Sequence, residues 1–258
     1  MIPTHNRGDV LVRAIASIHA QTVAPAEIIV VDDGSTDGSV ERIRAQFPRV
    51  RVLRQSNRGV SAARNAGIRA SSGELVAFLD SDDEWLPRKL ERQLGALAAS
   101  PDAFLCHTNE IWIRNGRRVN PMKKHRKHGG DIFEKSLPLC IISPSSTLVS
   151  RRVIDTVGYF DESLPACEDY DLWLRVTARH PVLFVDENLI VKYGGHPDQL
   201  SRRYPAMDRF RIRAIEKLLA EHVLDERKRK AAETMLARKQ FIYNQGALKR
   251  GRPLLPAS

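Results

Sequence analysis

Leu75-Val76-Ala77-Phe78-Leu79-Asp80-Ser81-Asp82-Asp83 runs five apolar residues straight into a cluster of three carboxylates. The apolar run is short enough for a strand buried on both faces. The acids therefore stand at the carboxyl end of that strand, and open α/β sheets bind ligands in the crevice outside such ends. Packed carboxylates repel one another unless a cation or bound protons relieve them. Mg²⁺ or Mn²⁺ suits the place, because such ions take one or two carboxylates and complete their shell with phosphate oxygens and water. A solvated acidic turn capping the next helix is the plainer alternative for so short a motif.

Working outward, Val30-Val31-Asp32-Asp33-Gly34-Ser35 repeats the construction: Glu27 to Asp32 reads as a buried strand, then come two acids and a tight turn. Two parallel strands then end in carboxylates on one edge of the sheet. A carboxylate there can accept a hydrogen bond from a nucleobase N–H or a ribose hydroxyl, although an Asx turn entering a helix explains it equally. Between the two lies Asn57-Arg58-Gly59-Val60-Ser61-Ala62-Ala63-Arg64-Asn65-Ala66-Gly67, a glycine turn entering a helix of small residues. Arg64 and Asn65 are unusual on such a helix. A buried Arg tied to a nearby carboxylate is the structural explanation, and it is compatible with function.

The first hundred residues alternate: helix Asp9 to Gln21, strand to Asp32, helix Ser39 to Gln46, strand Val50 to Leu53, helix Val60 to Ala70, strand Leu75 to Leu79, and a helix from Pro87 toward Ser100. Such alternation predicts a parallel sheet with helices on both faces. Beyond it, Ala103 to Ile113 reads as one or two strands before the hairpin signal Asn115-Gly116. The run Lys123-Lys124-His125-Arg126-Lys127-His128 and Gly129-Gly130 read as a mobile, solvated loop, or as an attractor for a phosphorylated acceptor or anionic lipid. Asp169 to Ala178 has helical spacing, Val182 to Val185 and Leu189 to Tyr193 are separate candidate strands, and Met207 to Arg250 is helical and basic.

Forty-two per cent apolar residues supply a core for the 258-residue chain, and the formal charge of +10 favours anionic partners. Phe and Tyr are not interleaved with the basic residues and no nucleic-acid signature appears, which argues against nucleic acid. No G-x-x-x-x-G-K-[ST] loop supports a nucleotidyltransferase. A degenerate, non-catalytic scaffold is the third alternative, opposed by the intact acids. Cys106, Cys140 and Cys167 lack C-x-x-C spacing, so neither a disulfide framework nor a zinc site is expected. With no apolar signal region or long apolar run, the expectation is a cytoplasmic protein, free or peripheral to the inner face of the membrane.

Pro3-Thr4-His5-Asn6-Arg7, Val31 to Asp37, Asn57-x-Gly59-x-Ser61-x-Ala63-Arg64-Asn65-x-Gly67 and Phe78 to Asp83 come in an order and spacing that resembles family 2 glycosyltransferases of the GT-A fold, over about residues 2 to 200. The resemblance implies an α/β fold with a mixed, mostly parallel sheet flanked by helices. It implies an inverting, metal-dependent transfer from a nucleotide-sugar donor (UDP-, GDP- or dTDP-) to a glycan or lipid-linked acceptor in cell-surface assembly. It implies nucleotide contacts at Pro3, Thr4, Asn6, Asp33, Arg64, Asp80 and Asp82. Asp82, Asp83 and His196, the last in His196-Pro197-Asp198-Gln199-Leu200-Ser201, become the metal ligands. Asp169, in Glu168-Asp169-Tyr170-Asp171-Leu172-Trp173-Leu174-Arg175, matches the catalytic base, although acids there also suit a helix N-terminus. Residues 1–204 would be the transferase domain and 205–258 a basic helical extension. The family's opening strand has four to six residues before Pro3, where this chain has Met1-Ile2. That central strand is therefore expected to be truncated, exposing the edges of its neighbours.

Overall fold

The computed structural model describes residues 1–195, 203–251 and 254. Strands β1 (Ile2–Thr4), β2 (Ile29–Asp32) and β3 (Arg51–Arg54) form a parallel sheet in the order β1-β2-β3. Helices α1 (Gly8–His19) and α2 (Ser39–Gln46) connect the first strands, and α3 (Val60–Ala70) leads from β3 toward the second sheet. The second sheet holds β4 (Leu75–Ala77), β5 (Glu84–Trp85), β6 (Leu105–Arg114), β7 (Arg117–Val119), β8 (Leu148–Ser150) and β9 (Leu183–Gly194), in the order β4-β8-β6-β9-β5 with β7 a hairpin partner of β6. Only β6 and β9 pair in parallel there; the other pairs are antiparallel.

Strand β1 is three residues long and has partners on both sides. Ile2–Thr4 pair with Val30–Asp32 on one side. On the other side the Met1 ammonium donates to Ala77 O (2.6 Å) and Leu79 N donates to Met1 O (3.1 Å), the exchange of a parallel ladder. One residue thus covers the neighbouring edge, joins the two sheets and leaves β4 between β1 and β8.

Helix α3 lies flush on this seam because its buried face is Ser61, Ala62, Ala63, Gly67 and Ile68. A Cβ on Gly67 would come within 2.2 Å of Met1 Cε and 3.2 Å of Val31 Cγ2. The close approach is what brings Arg64 and Asn65 over the strand ends. Helices α4 (Lys89–Ala98), α5 (Phe133–Ser136), α6 (Arg151–Val157) and α7 (Glu168–Arg179) complete the first two hundred residues. Phe78, Phe160 and Trp173 meet edge to face, with Phe78 centroids 5.5 Å from Phe160 and 6.4 Å from Trp173, so the aromatic core ties β4 to α7.

Two further expectations change. The two candidate strands between Val182 and Tyr193 are a single strand, β9 (Leu183–Gly194), because Asp186 to Asn188 is accommodated by an irregular register against Thr108 to Glu110. The basic run is no solvated loop throughout: Lys123–His125 form a 3₁₀ turn, and Lys127 turns inward to a buried ion pair with Glu110 at 2.8 Å. Gly130 is fastened by mutual backbone bonds to Val182. The C-terminal residues form helices α8 (Asp208–Ala220) and α9 (Glu226–Leu248), whose Ile215, Leu218, Ala232 and Leu236 share an apolar cluster with Tyr170 and Leu174 of α7. No helix among the described residues is long and apolar enough to cross a membrane.

Phe78→Ala should cost about 3–5 kcal/mol, the usual scale for emptying a buried aromatic site. Urea denaturation of the two proteins checks this; a loss below about 1 kcal/mol would show that the aromatic cluster is not what fastens β4 to α7.

Candidate functional site

The crevice is built where β1, β2 and the Phe78-Leu79 segment end. Asp32 makes the turn: its Oδ1 accepts from Ser35 N (2.9 Å), and its other oxygen is 3.1 Å from Arg54 Nε. Asp33 clamps the loop before α3. Its Oδ1 accepts from Gln55 Nε2 (2.7 Å) and Arg58 N (2.9 Å), and its Oδ2 from Gly59 N (2.8 Å). A carboxylate offers about four lone-pair positions, so Asp33 retains room for one further donor rather than an open face. Pro3 and Thr4 are buried beside it, and the Thr4 hydroxyl has no hydrogen-bond partner in this structure. Asn6 sits at φ 52°, a conformation Asn tolerates well, and joins the two turns. Its N donates to Ser35 Oγ (2.9 Å) and its Oδ1 accepts from Thr36 N (2.8 Å).

Arg64 is the centre of the site. Its buried guanidinium donates from Nη2 to Asp80 Oδ1 (2.7 Å) and from Nη1 to Glu168 Oε1 (2.5 Å). Burial works against the charge, but the two carboxylates outweigh it and raise the Arg64 pKa further. Next to it, Asn65 Nδ2 donates to Phe160 O (2.9 Å) and Glu162 Oε1 (2.9 Å), while Phe160 N donates to Asn65 Oδ1 (3.0 Å). The pair expected to be unusual on α3 therefore fixes both the acid loop and the approach to α7.

The acids of the loop divide in role. Asp83 is fully buried; Ser145 Oγ donates to its Oδ2 (2.7 Å) and Tyr193 N to its Oδ1 (3.1 Å). Burial pushes its pKa well up, and Asp82 and Asp80 add to that against the opposing charge of Lys192. Each oxygen accepts one hydrogen bond from the protein, and the metal contact expected of Asp83 would use its remaining lone pairs. Asp80 keeps a quarter of its side chain exposed beside the Arg64 contact, and Asp82 is half-buried with its carbonyl held by Arg13 Nη2 (2.9 Å). No group of three or more His, Cys, Asp or Glu among the described residues is arranged to enclose a metal. Two adjacent carboxylates fit Mg²⁺ or Mn²⁺ completed by phosphate oxygens and water, and do not fit a closed all-protein cage. His196 lies outside the described residues.

At α7 the structure separates three acids that the sequence left together. Glu168 is held by Arg64, and Asp171 is fully buried between Arg175 Nη2 (2.7 Å) and Lys217 Nζ (2.6 Å). Arg175 also caps the carbonyls of Val157, Gly158 and Tyr159. Asp169 alone of the three is partly exposed, with Oδ1 accepting from Tyr170 N (2.7 Å). Cys167 precedes the helix at φ 63°, a strained conformation for a non-glycine residue and one that clusters at functional sites.

Lys192 was not singled out in the sequence. Burial alone would lower its pKa, but Glu110, Asp83, Asp80 and Asp169 together hold it above the ordinary lysine range. Like Arg64, it is a cation shared by the acid loop and α7. A lysine interrupting the apolar run Leu189-Ile190-Val191 was the available signal.

Against this geometry, the description "Glycosyl transferase family 2" matches residues 1–158. The chain belongs to glycosyl transferase family 2. An uncharacterized glycosyltransferase of Rickettsia conorii is 32% identical over 210 residues, 79% of this chain and 35% of its own length. The chain thus spans about a third of that relative's length. Staphylococcus aureus TarS, solved with UDP-GlcNAc, has a TM-score of 0.74 at 18% identity over 98% of this chain and 75% of that chain. The mannosyltransferase PcManGT of Pyrobaculum calidifontis, solved with GDP-Man and Mn²⁺, gives 0.61 at 19% identity over 99% of this chain and 75% of its own. These likenesses establish the GT-A fold.

The turn that carries Ser145 is itself anchored by fully buried Lys89, which donates to Gln93 Oε1 (2.7 Å) and Thr147 O (3.1 Å) and lies over the Trp85 ring. Burial lowers its pKa to about 7, against a smaller opposing effect of Cys106. An unfolded lysine titrates near 10.4. Between about pH 7 and 10.4 the unfolded chain keeps a proton that the folded chain has released, so this group makes stability rise with pH across that window and contributes no slope below about pH 7, where both states hold the proton. Lys89→Met should flatten the slope in urea melts at a series of pH values; an unaltered slope would mean that Lys89 stays charged when folded.

Proposed function

We propose that this chain transfers a sugar from a nucleotide-diphosphate sugar to an acceptor hydroxyl with inversion at the anomeric carbon, using Asp169 as general base. The observation that carries the reading is the Arg64 guanidinium, which joins Asp80 of the crevice to Glu168, the residue beside Asp169. A donor phosphate at the acid loop and an acceptor hydroxyl at Asp169 are thereby held in one frame, and positioning of two reactants is itself a large share of catalysis. The complexes of TarS with UDP-GlcNAc and of PcManGT with GDP-Man support a nucleotide-sugar donor in this fold.

In this reading Pro3, Thr4, Asn6 and Asp33 hold the nucleoside, with the last acceptor direction of Asp33 and the unpartnered Thr4 hydroxyl as contacts. Asp169 takes the proton of the acceptor hydroxyl as its oxygen attacks the anomeric carbon. The bond to the diphosphate oxygen breaks, and negative charge grows on the side facing Lys192, whose fixed charge favours that state. Asp82, with Asp80 and Asp83 beside it, would hold Mg²⁺ or Mn²⁺, which would supply further positive charge to the diphosphate. Residues 1–204 act as the transferase domain and 205–258 as a helical extension. The acceptor is a glycan or lipid-linked glycan of cell-surface assembly, reached from the cytoplasmic side of the membrane.

Two variants test separate halves of the mechanism. Asp169→Asn should bind UDP or GDP as tightly as the parent while losing roughly 10²-fold or more in transfer, the scale of general-base catalysis. A purely helix-terminal role predicts a stability change of about 1 kcal/mol or less and normal turnover, so normal turnover would sink the assignment. Asp82→Asn should weaken Mn²⁺-dependent nucleotide binding and cut turnover at least about tenfold, since a charge facing the diphosphate is lost. Full activity of the parent in excess EDTA would remove the metal from the mechanism.

A further inference from the structure

A cavity of about 380 Å³ lies between the Lys123–His125 turn, the Pro138-Leu139-Cys140 segment and the two C-terminal helices. Its position matters first. Cys140, on its wall, is partly buried, and the Asp169 carboxylate interacts with its thiol. The cavity therefore lies one side chain away from the proposed base.

Its charge is lopsided. Lys124, Arg211, Arg238 and Lys239 line it against a single carboxylate, Asp208. Asp208 is shared by Arg211 Nη1 (3.0 Å) and Lys239 Nζ (3.0 Å), leaving one negative charge between two cations. The Arg211 Nε is buried with no hydrogen-bond partner in this structure. Lys124 and Arg238 have no carboxylate partner among the described residues, and both are exposed. Cations from three separate elements are thus turned toward one space with one acid to balance them. Apolar Leu139, Met235 and Ile242 make up the remaining wall. A volume of this size suits a small ligand, and cavities of about 300–1,000 Å³ are the usual range for such sites.

We propose that this cavity is the acceptor pocket and that it takes an acceptor carrying a phosphate close to the reacting hydroxyl. The proposal rests on Asp169 being the base. Phosphate satisfies the arrangement better than a neutral sugar, because several oxygens at high charge density meet donors from different directions and guanidinium forks match their geometry. A neutral acceptor would leave Lys124 and Arg238 without counter-charge. The phosphate can belong to a soluble phosphorylated polyol or to a lipid headgroup; exposed Phe241, Ile242 and Leu248 on α9 make the second source a fair test.

The experiment begins with the donor site saturated by UDP and Mn²⁺, so that a phosphate probe cannot bind there. Calorimetry with sn-glycerol 3-phosphate and with glycerol then compares the parent with the Lys124→Ala/Arg238→Ala double variant. The phosphate ester should bind and glycerol should not. The double variant, altered only at exposed side chains, should bind the ester at least about tenfold more weakly, a loss of roughly 1.4 kcal/mol, while its UDP affinity stays within about twofold. Flotation with phosphatidylglycerol vesicles distinguishes the source. Binding confined to vesicles and lost in the double variant supports the same phosphate site with a lipid acceptor. Equal binding of ester and glycerol, or equal binding by both proteins, overturns the proposal. Failure of UDP to bind the parent at all would instead remove the glycosyltransfer reading, and an ester site that survived it would not be an acceptor pocket.

Discussion

A buried arginine between two carboxylates is the contact on which the crevice depends. Arg64 reaches Asp80 at one end and Glu168 at the other, from a helix held flush against the sheet by its small residues. The geometry leaves little freedom: a guanidinium so deeply buried is tolerable only while both acids remain, and removing one partner of such an arrangement costs about 3–5 kcal/mol. The same three residues join β4 to the start of α7, which lie far apart in sequence. What holds the catalytic elements together is thus also what sets the distance between their charges.

Around that contact, charge is arranged in layers. Asp83 is withdrawn into the interior by Ser145 and the Tyr193 amide, and its burial disfavours its charged form. Asp82 and Asp80 are left toward the crevice, while Lys192 stands among Glu110, Asp83, Asp80 and Asp169. A run of three acids therefore becomes one fully buried carboxyl and two turned toward the crevice. The division comes from the interior neighbours, since Asp82 and Asp83 are chemically identical side chains one residue apart.

The C-terminal helices take part in this arrangement. Lys217 of α8 reaches Asp161 (2.9 Å) and Asp171 (2.6 Å), bracing the loop that follows α6 and the first turn of α7. Apolar contacts of Ile215, Leu218 and Leu236 with Tyr170 and Leu174 seat the helix pair on the same element. The pair thereby supports the helix that carries Asp169 and forms a wall of the basic cavity beside it.

The alternation of strands and helices, and the acids at two strand ends, were legible in the sequence. Helices Ser39–Gln46 and Val60–Ala70 follow directly from local periodicity and turn residues. These features depend on spacing along the chain, and four motifs in order were enough to indicate the family. The sequence did not reveal that Met1 would bridge two sheets, that Lys127 would leave a basic run to pair with Glu110, or that β9 would be continuous across Asp186 to Asn188. Nor did it show which of Glu168, Asp169 and Asp171 stays exposed, or that Lys192 stands among the acids. Each of those outcomes depends on a partner distant in the chain, and burial and charge pairing come into being only when the elements pack. Residue type and order therefore determined the fold and the edge on which chemistry is placed, while tertiary packing decided which carboxylates remain available to perform it.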